Sequence, residues 1–207
     1  MKKKLLAIAV LVICLSIISA GTWAVFTAEG RATNVITTGS IVVELNEWAD
    51  ADKTEKFKDV EGVMPGTEVT KIVEVENKGT GDAWVRVWLN VSVAEKLTAT
   101  NKAPVCLPLT IDVDGNEVDV VELDLNLGDA ADQWTYNEAD GYYYYNSKLG
   151  TTDDTKTTKP LFTTVEFHPN MGNEYQNCQA IIDVAVEAVQ VANNGTSAMT
   201  ALGWPEA

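Results

Sequence analysis

From Ala83 to Val93 apolar and polar side chains alternate without a break. Ala83, Val85, Val87, Leu89, Val91 and Val93 fall on one side, and Trp84, Arg86, Trp88, Asn90 and Ser92 on the other. Successive strand residues point to opposite faces, whereas a helix returns to the same face only every three or four residues. The run therefore commits this segment to a β-strand with one face in a core. Two tryptophans on the opposite face are costly to leave wet, so the pattern predicts a covering loop over them, or a partner that takes its place.

Around this strand the chain reads as further strands separated by turn signals. Val35, Thr37, Gly39, Ile41, Val43 and Leu45 alternate with more polar neighbours and predict a first strand. The charged stretch 50–59 reads as a loop, Met64-Pro65-Gly66 as a turn, and Val69 to Glu76 as a strand. Asp114-Gly115-Asn116 joins 104–113 to 117–127 as a hairpin. Asp112, Asp114, Asn116 and Glu117 lack the spacing of a calcium-binding EF-hand loop. Trp134 and Tyr136 open an aromatic patch that continues through Tyr142 to Tyr145, two rings on each face of a strand. Thr151 to Thr158 reads as a polar loop. Strands follow at 162–168 and 178–191, the latter with Ile182, Val184, Val186 and Ala188 on one face. A short C-terminal helix is predicted from Thr196 or Ser197 to about Gly203. With some nine strands and no βαβ alternation, the expected fold class is all-β: an antiparallel, jelly-roll-like β-sandwich with an N-terminal signal helix and a short C-terminal helix.

The N-terminus has the order of a secretion signal. Lys2 to Lys4 are basic, Leu5 to Ile18 are almost unbrokenly apolar, and small residues follow. The apolar run falls short of the roughly 20 residues of a membrane span. Thr22 and Ala24 put small residues at −3 and −1, so Thr22-Trp23-Ala24-Val25 marks the expected cut, before Val25. This divides the chain into a signal peptide, 1–24, and a single β-sandwich domain, 25–207. The net charge is −15, and three of the 15 basic residues lie in the leader, leaving 12 against 30 acidic ones. Such a surface repels phosphate backbones and anionic lipid heads, so nucleic acid is not an expected partner, and the membrane is met only through the uncleaved signal.

Catalytic chemistry is sparsely encoded. There is one histidine, His168, and no HExxH, G-x-S-x-G, CxxC or glycine-rich phosphate loop. No catalytic residue, metal ligand or cofactor is predicted. Cys106 and Cys178 are the cysteines left after the leader, and export permits a disulfide between them. Their strand phases argue the other way: Cys178 shares the Ile182 face, while Cys106 lies opposite Leu107, Leu109 and Ile111. The pairing stays open at this level.

Several blocks together resemble the TasA/camelysin family of exported proteins. Gly21-Thr22-Trp23-Ala24-Val25-Phe26 resembles that family's leader end. Ala32-Thr33-Asn34 with Thr38-Gly39-Ser40 is similar to its first mature strand, and Pro65-Gly66 with Val73 to Gly79 to its next segment. Asp140 to Tyr145, Pro160-Leu161-Phe162, Glu187 to Gln190 and Leu202-Gly203-Trp204 resemble later blocks. The resemblance implies a jelly-roll sandwich, a leader cut by a SipW-type signal peptidase, and localisation to the extracellular matrix or cell surface. It further implies a biofilm-matrix fibre subunit, a homopolymer whose freed N-terminal segment, 25–34 beginning at Val25 and Phe26, adds as a strand to the next copy. Matrix or envelope proteins are the other partners it implies. Two alternatives stand beside this expectation: a camelysin-like secreted metalloprotease, and a cell-envelope or glycan-binding module using Trp84, Trp88 or the tyrosines.

Overall fold

A computed structural model describes residues 41–95 and 105–205. Eleven strands run β1 (Val43–Trp48), β2 (Glu68–Asn77), β3 (Ala83–Glu95), β4 (Cys106–Leu107), β5 (Thr110–Val113), β6 (Asn116–Asp119), β7 (Val121–Leu123), β8 (Trp134–Asn137), β9 (Tyr142–Tyr145), β10 (Phe162–Phe167) and β11 (Cys178–Gln190). One antiparallel sheet has the order β1-β2-β10-β7. The second has the order β11-β3-β9-β8, with β4 on the far end of β3. The two sheets bury a shared core, so the chain is the all-β sandwich its pattern predicts.

The alternation in β3 does what it should. Val85 and Val87 are fully buried beside Val186 and Ala188 of β11, and face Val43, Val73, Val75 and Phe162 of the other sheet. The predicted first strand keeps its core parity through Ile41, Val43 and Leu45 and runs on to Trp48; its portion before residue 41 lies outside the described residues. Asp114 and Gly115 take φ of +54° and +84°, the left-handed pair that a two-residue hairpin turn requires. That hairpin is shorter than expected: only β5 and β6 pair through it, β4 joins β3, and β7 crosses to the first sheet.

In β10 the strict alternation fails. Phe162 and Val165, three residues apart, both enter the core because pairing with β2 slips by one residue between Phe162 and Thr164. Asp124 takes up the amides at the slip, accepting from Thr163 N and Thr164 N at 2.7 Å each. Burial opposes ionisation of this carboxyl, but the bonds from Thr163 and Thr164 prevail and hold it below its usual range.

The expected C-terminal helix is a single 3-10 turn, Ala198–Thr200. Ser197 and Thr200 form the capping box that signals a helix start, yet the chain extends again at Ala201 to lay Trp204 on the second sheet.

Candidate assembly edge

A β-sandwich has open edges only at its outermost strands, where backbone N–H and C=O groups lack a ladder partner. Here three of those four strands are blunted. β1 is capped where the chain returns after Trp48: Phe57 N donates to Glu47 O at 3.0 Å, and Lys56 bridges Trp48. β7 is three residues long. β8 is covered by the preceding turn, which bridges Leu127 to Trp134.

The fourth, β11, is thirteen residues long, and no described strand pairs with its outer side. Asp183 is its exposed charged side chain, and Glu187 is engaged by Arg86. The inner face behind this edge is incompletely closed. The cross-strand pairs Val87–Val186 and Val85–Ala188 are buried, but the next pairs, Leu89–Val184 and Val91–Ile182, are only half-buried. Leu45 on β1, the edge of the other sheet that lies against β11, is half-buried as well. An extended segment laid along β11 would satisfy its ladder and cover these side chains together.

The outer face of the same sheet is closed at one end by the C-terminal segment. Trp84 is buried there and donates from Nε1 to Asn194 O at 2.9 Å. Arg86, 7% exposed, donates from Nε to Glu187 Oε2 at 2.7 Å and from Nη1 to the Tyr144 hydroxyl at 3.0 Å. Its guanidinium lies 3.9 Å from the Tyr142 ring centre and 4.7 Å from that of Trp204. Burial alone would destabilise this cation; the bonds it donates to Tyr144 and Glu187 raise its hold on the proton. The covering loop expected over the tryptophans thus reaches Trp84. Trp88, one pair further along β3, remains 39% exposed.

The segments named for cleavage and assembly, Thr22 to Val25 and Val25-Phe26, and the donor stretch 25–34, lie outside the described residues. The disulfide candidates are within them, and both thiols are free. Cys178 pairs with Glu95 on one side of β3 and Cys106 with Ala94 on the other, so β3 lies between them. Two strand spacings, about 10 Å, exceed what a disulfide spans. The register also puts Cys106 on the outer face with Ala94 and Cys178 on the core-facing side. Burial, and then the Glu95 charge, push the Cys178 thiol up.

No described helix is long and apolar enough to cross a membrane. His168 Nδ1 accepts from Asn170 N at 3.1 Å, and no three His, Cys, Asp or Glu of the described residues gather to hold a metal. The chain's single histidine leaves no pair for a two-histidine HExxH centre. Comparison with curated proteins and with solved structures returned no match. The family model described as camelysin metallo-endopeptidase matches residues 1–194, and the chain belongs to this TasA/camelysin family of extracellular or surface-associated proteins.

Proposed function

We propose that this camelysin-family chain is a secreted structural subunit that polymerises into extracellular matrix fibres by strand addition. Residues 25–34 of one copy, freed when a SipW-type peptidase cuts before Val25, lie along β11 of the next. The reading rests on one observation above all: β11 offers a thirteen-residue ladder edge backed by half-buried Leu89, Val91, Ile182 and Val184. Ten extended residues cover about 33 Å, well within the length of β11. A contact between different surfaces of two copies does not close on itself, so it propagates as a filament.

The test uses protein beginning at Val25, examined by electron microscopy and by size in solution. Filaments are expected from this form. Chains beginning at Val35, and Val184→Lys, which places a charge behind the acceptor edge, should stay monomeric while retaining the β-sheet circular-dichroism spectrum. Filaments of undiminished yield from either variant would overturn the proposal.

A further inference from the structure

On the outer face of the first sheet an amine, a carboxamide and a carboxylate stand in series. Asn46 of β1 lies opposite Glu74 of β2 and diagonal to Glu76. The return after β1 sets Lys56 beside Trp48, which brings its amine diagonally onto Asn46. Lys56 Nζ is 2.5 Å from Asn46 Oδ1, and Asn46 Nδ2 donates to Glu76 Oε2 at 3.2 Å. Asn46 is only 4% exposed, so its amide is clamped between these two groups and shielded from water.

An ordinary lysine–asparagine contact is a surface hydrogen bond and nothing more. Two features set this one apart. The amide is buried, so hydrolysis by solvent competes poorly. The carboxylate sits on the nitrogen that would have to leave. Effective molarities for groups held this way are large enough to drive otherwise slow acyl exchange.

We propose that Lys56 and Asn46 form an intramolecular isopeptide cross-link, with Glu76 carrying the proton. The Lys56 ammonium first loses a proton to solvent, which its exposed position allows. The neutral amine attacks Asn46 Cγ and forms the new C–N bond. One proton from the attacking nitrogen passes through the Glu76 carboxylate to Nδ2. The Cγ–Nδ2 bond then breaks and ammonia departs, taking up a proton from water. Nothing is oxidised or reduced; a primary amide and an amine become a secondary amide and ammonia.

The surroundings set the pace. Lys56 Nζ lies 3.9 Å over the Trp48 ring. Only a neutral amine attacks an amide carbon, so the reaction accelerates as pH rises. Partial burial opposes ionisation of Glu76, but hydrogen bonds from Lys78 and Lys156 hold its carboxyl below its ordinary range, so the base form is present at neutral pH. The product ties the segment that caps β1 covalently to β1 itself.

The experiment is intact-mass spectrometry of the chain beginning at Val25, incubated near neutral pH and at about pH 9.5, near the ordinary lysine range. The expected result is loss of the mass of one ammonia, faster at the higher pH, and a branched proteolytic peptide joining residues 46 and 56. Lys56→Arg and Asn46→Ala should keep their full mass, and Glu76→Gln should slow the loss about 100-fold. Full mass retained by the unsubstituted chain after prolonged alkaline incubation would overturn the proposal. So would an ammonia loss that leaves the 46 and 56 peptides unbranched, or one that persists in Lys56→Arg. An unchanged rate in Glu76→Gln would remove the carboxylate from the step.

Discussion

Replacing Arg86 by alanine should cost more than any other single change on the outer face of the second sheet. The side chain is buried and binds Glu187, Tyr144 and, through Nη2 at 3.4 Å, the carbonyl of Pro205. Its removal strands Glu187, whose side chain is 14% exposed and keeps only the Tyr142 hydroxyl, 3.2 Å away. Breaking a buried pair on one side costs about 3–5 kcal/mol. A domain of this size loses roughly 2–4 °C of Tm per kcal/mol, so Arg86→Ala should melt roughly 6–20 °C lower. The assay is thermal denaturation followed by circular dichroism, with tryptophan emission recorded alongside. Emission should shift to the red, because Trp204 and Trp84 are covered by the same arrangement. The double variant Arg86→Met, Glu187→Leu removes the more buried of the two carboxylates that Arg86 faces, the other being the more exposed Asp140 at 3.6 Å, and should recover most of the loss. An Arg86→Ala melt within about 2 °C of the parent would refute the argument. A double variant no better than the single one would show that packing, not charge, carries the cost.

Other expectations follow from the same geometry. Asp124 has a depressed folded-state pKa, so its contribution is present above the unfolded value of about 3.9 and is lost as pH falls through the folded one; Asp124→Asn should flatten the stability profile below about pH 4 in urea titrations. Phe162 is fully buried, and Phe162→Ala should lower stability by about 3–5 kcal/mol, shifting the urea midpoint at constant slope. Gly195 has φ +69°, and a Cβ there would meet the Thr200 backbone at 2.9 Å, so Gly195→Ala should loosen the C-terminal segment and raise Trp84 accessibility to acrylamide. Thiol titration should find both cysteines reactive without reductant, Cys106 faster and Cys178 slower because its pKa is raised; a native protein with neither thiol would refute the separation across β3.

Period-two runs made β3 and β11 legible, and a single Asp-Gly pair located the β5–β6 turn. Those signals are local: each depends on residues within one strand or one hairpin. What escaped depends on segments far apart in the chain. Arg86 reads only as a polar residue on the tryptophan face expected to be covered, because nothing near it shows that Pro205, 119 positions on, belongs to the segment that covers it. Glu74 is a charged strand residue that is only 4% exposed, because Trp48 Nε1 and Lys53, more than twenty positions earlier in the chain, close over it. The slip in β10 was hidden because Asp124, which receives the freed amides, precedes them by 39 residues. The C-terminal helix is present but shorter than its cap signal suggests, for the opposite reason. Its cap signal is real, but Trp204 packing edge-on against Tyr144 outweighs helix continuation after one turn. The acceptor edge could not be read at all, since openness is a property of what does not pair.

That asymmetry among the edges has a kinetic corollary. Among the described residues one long ladder is left uncovered per subunit, so any polymer built on β11 has a direction and shows a free β11 at one tip only. Elongation at that tip stops wherever the terminal β11 is occupied by a strand that carries no subunit behind it. A short synthetic peptide with the sequence of residues 25–34 would therefore act as a chain terminator, shortening fibres at substoichiometric doses rather than merely slowing their appearance.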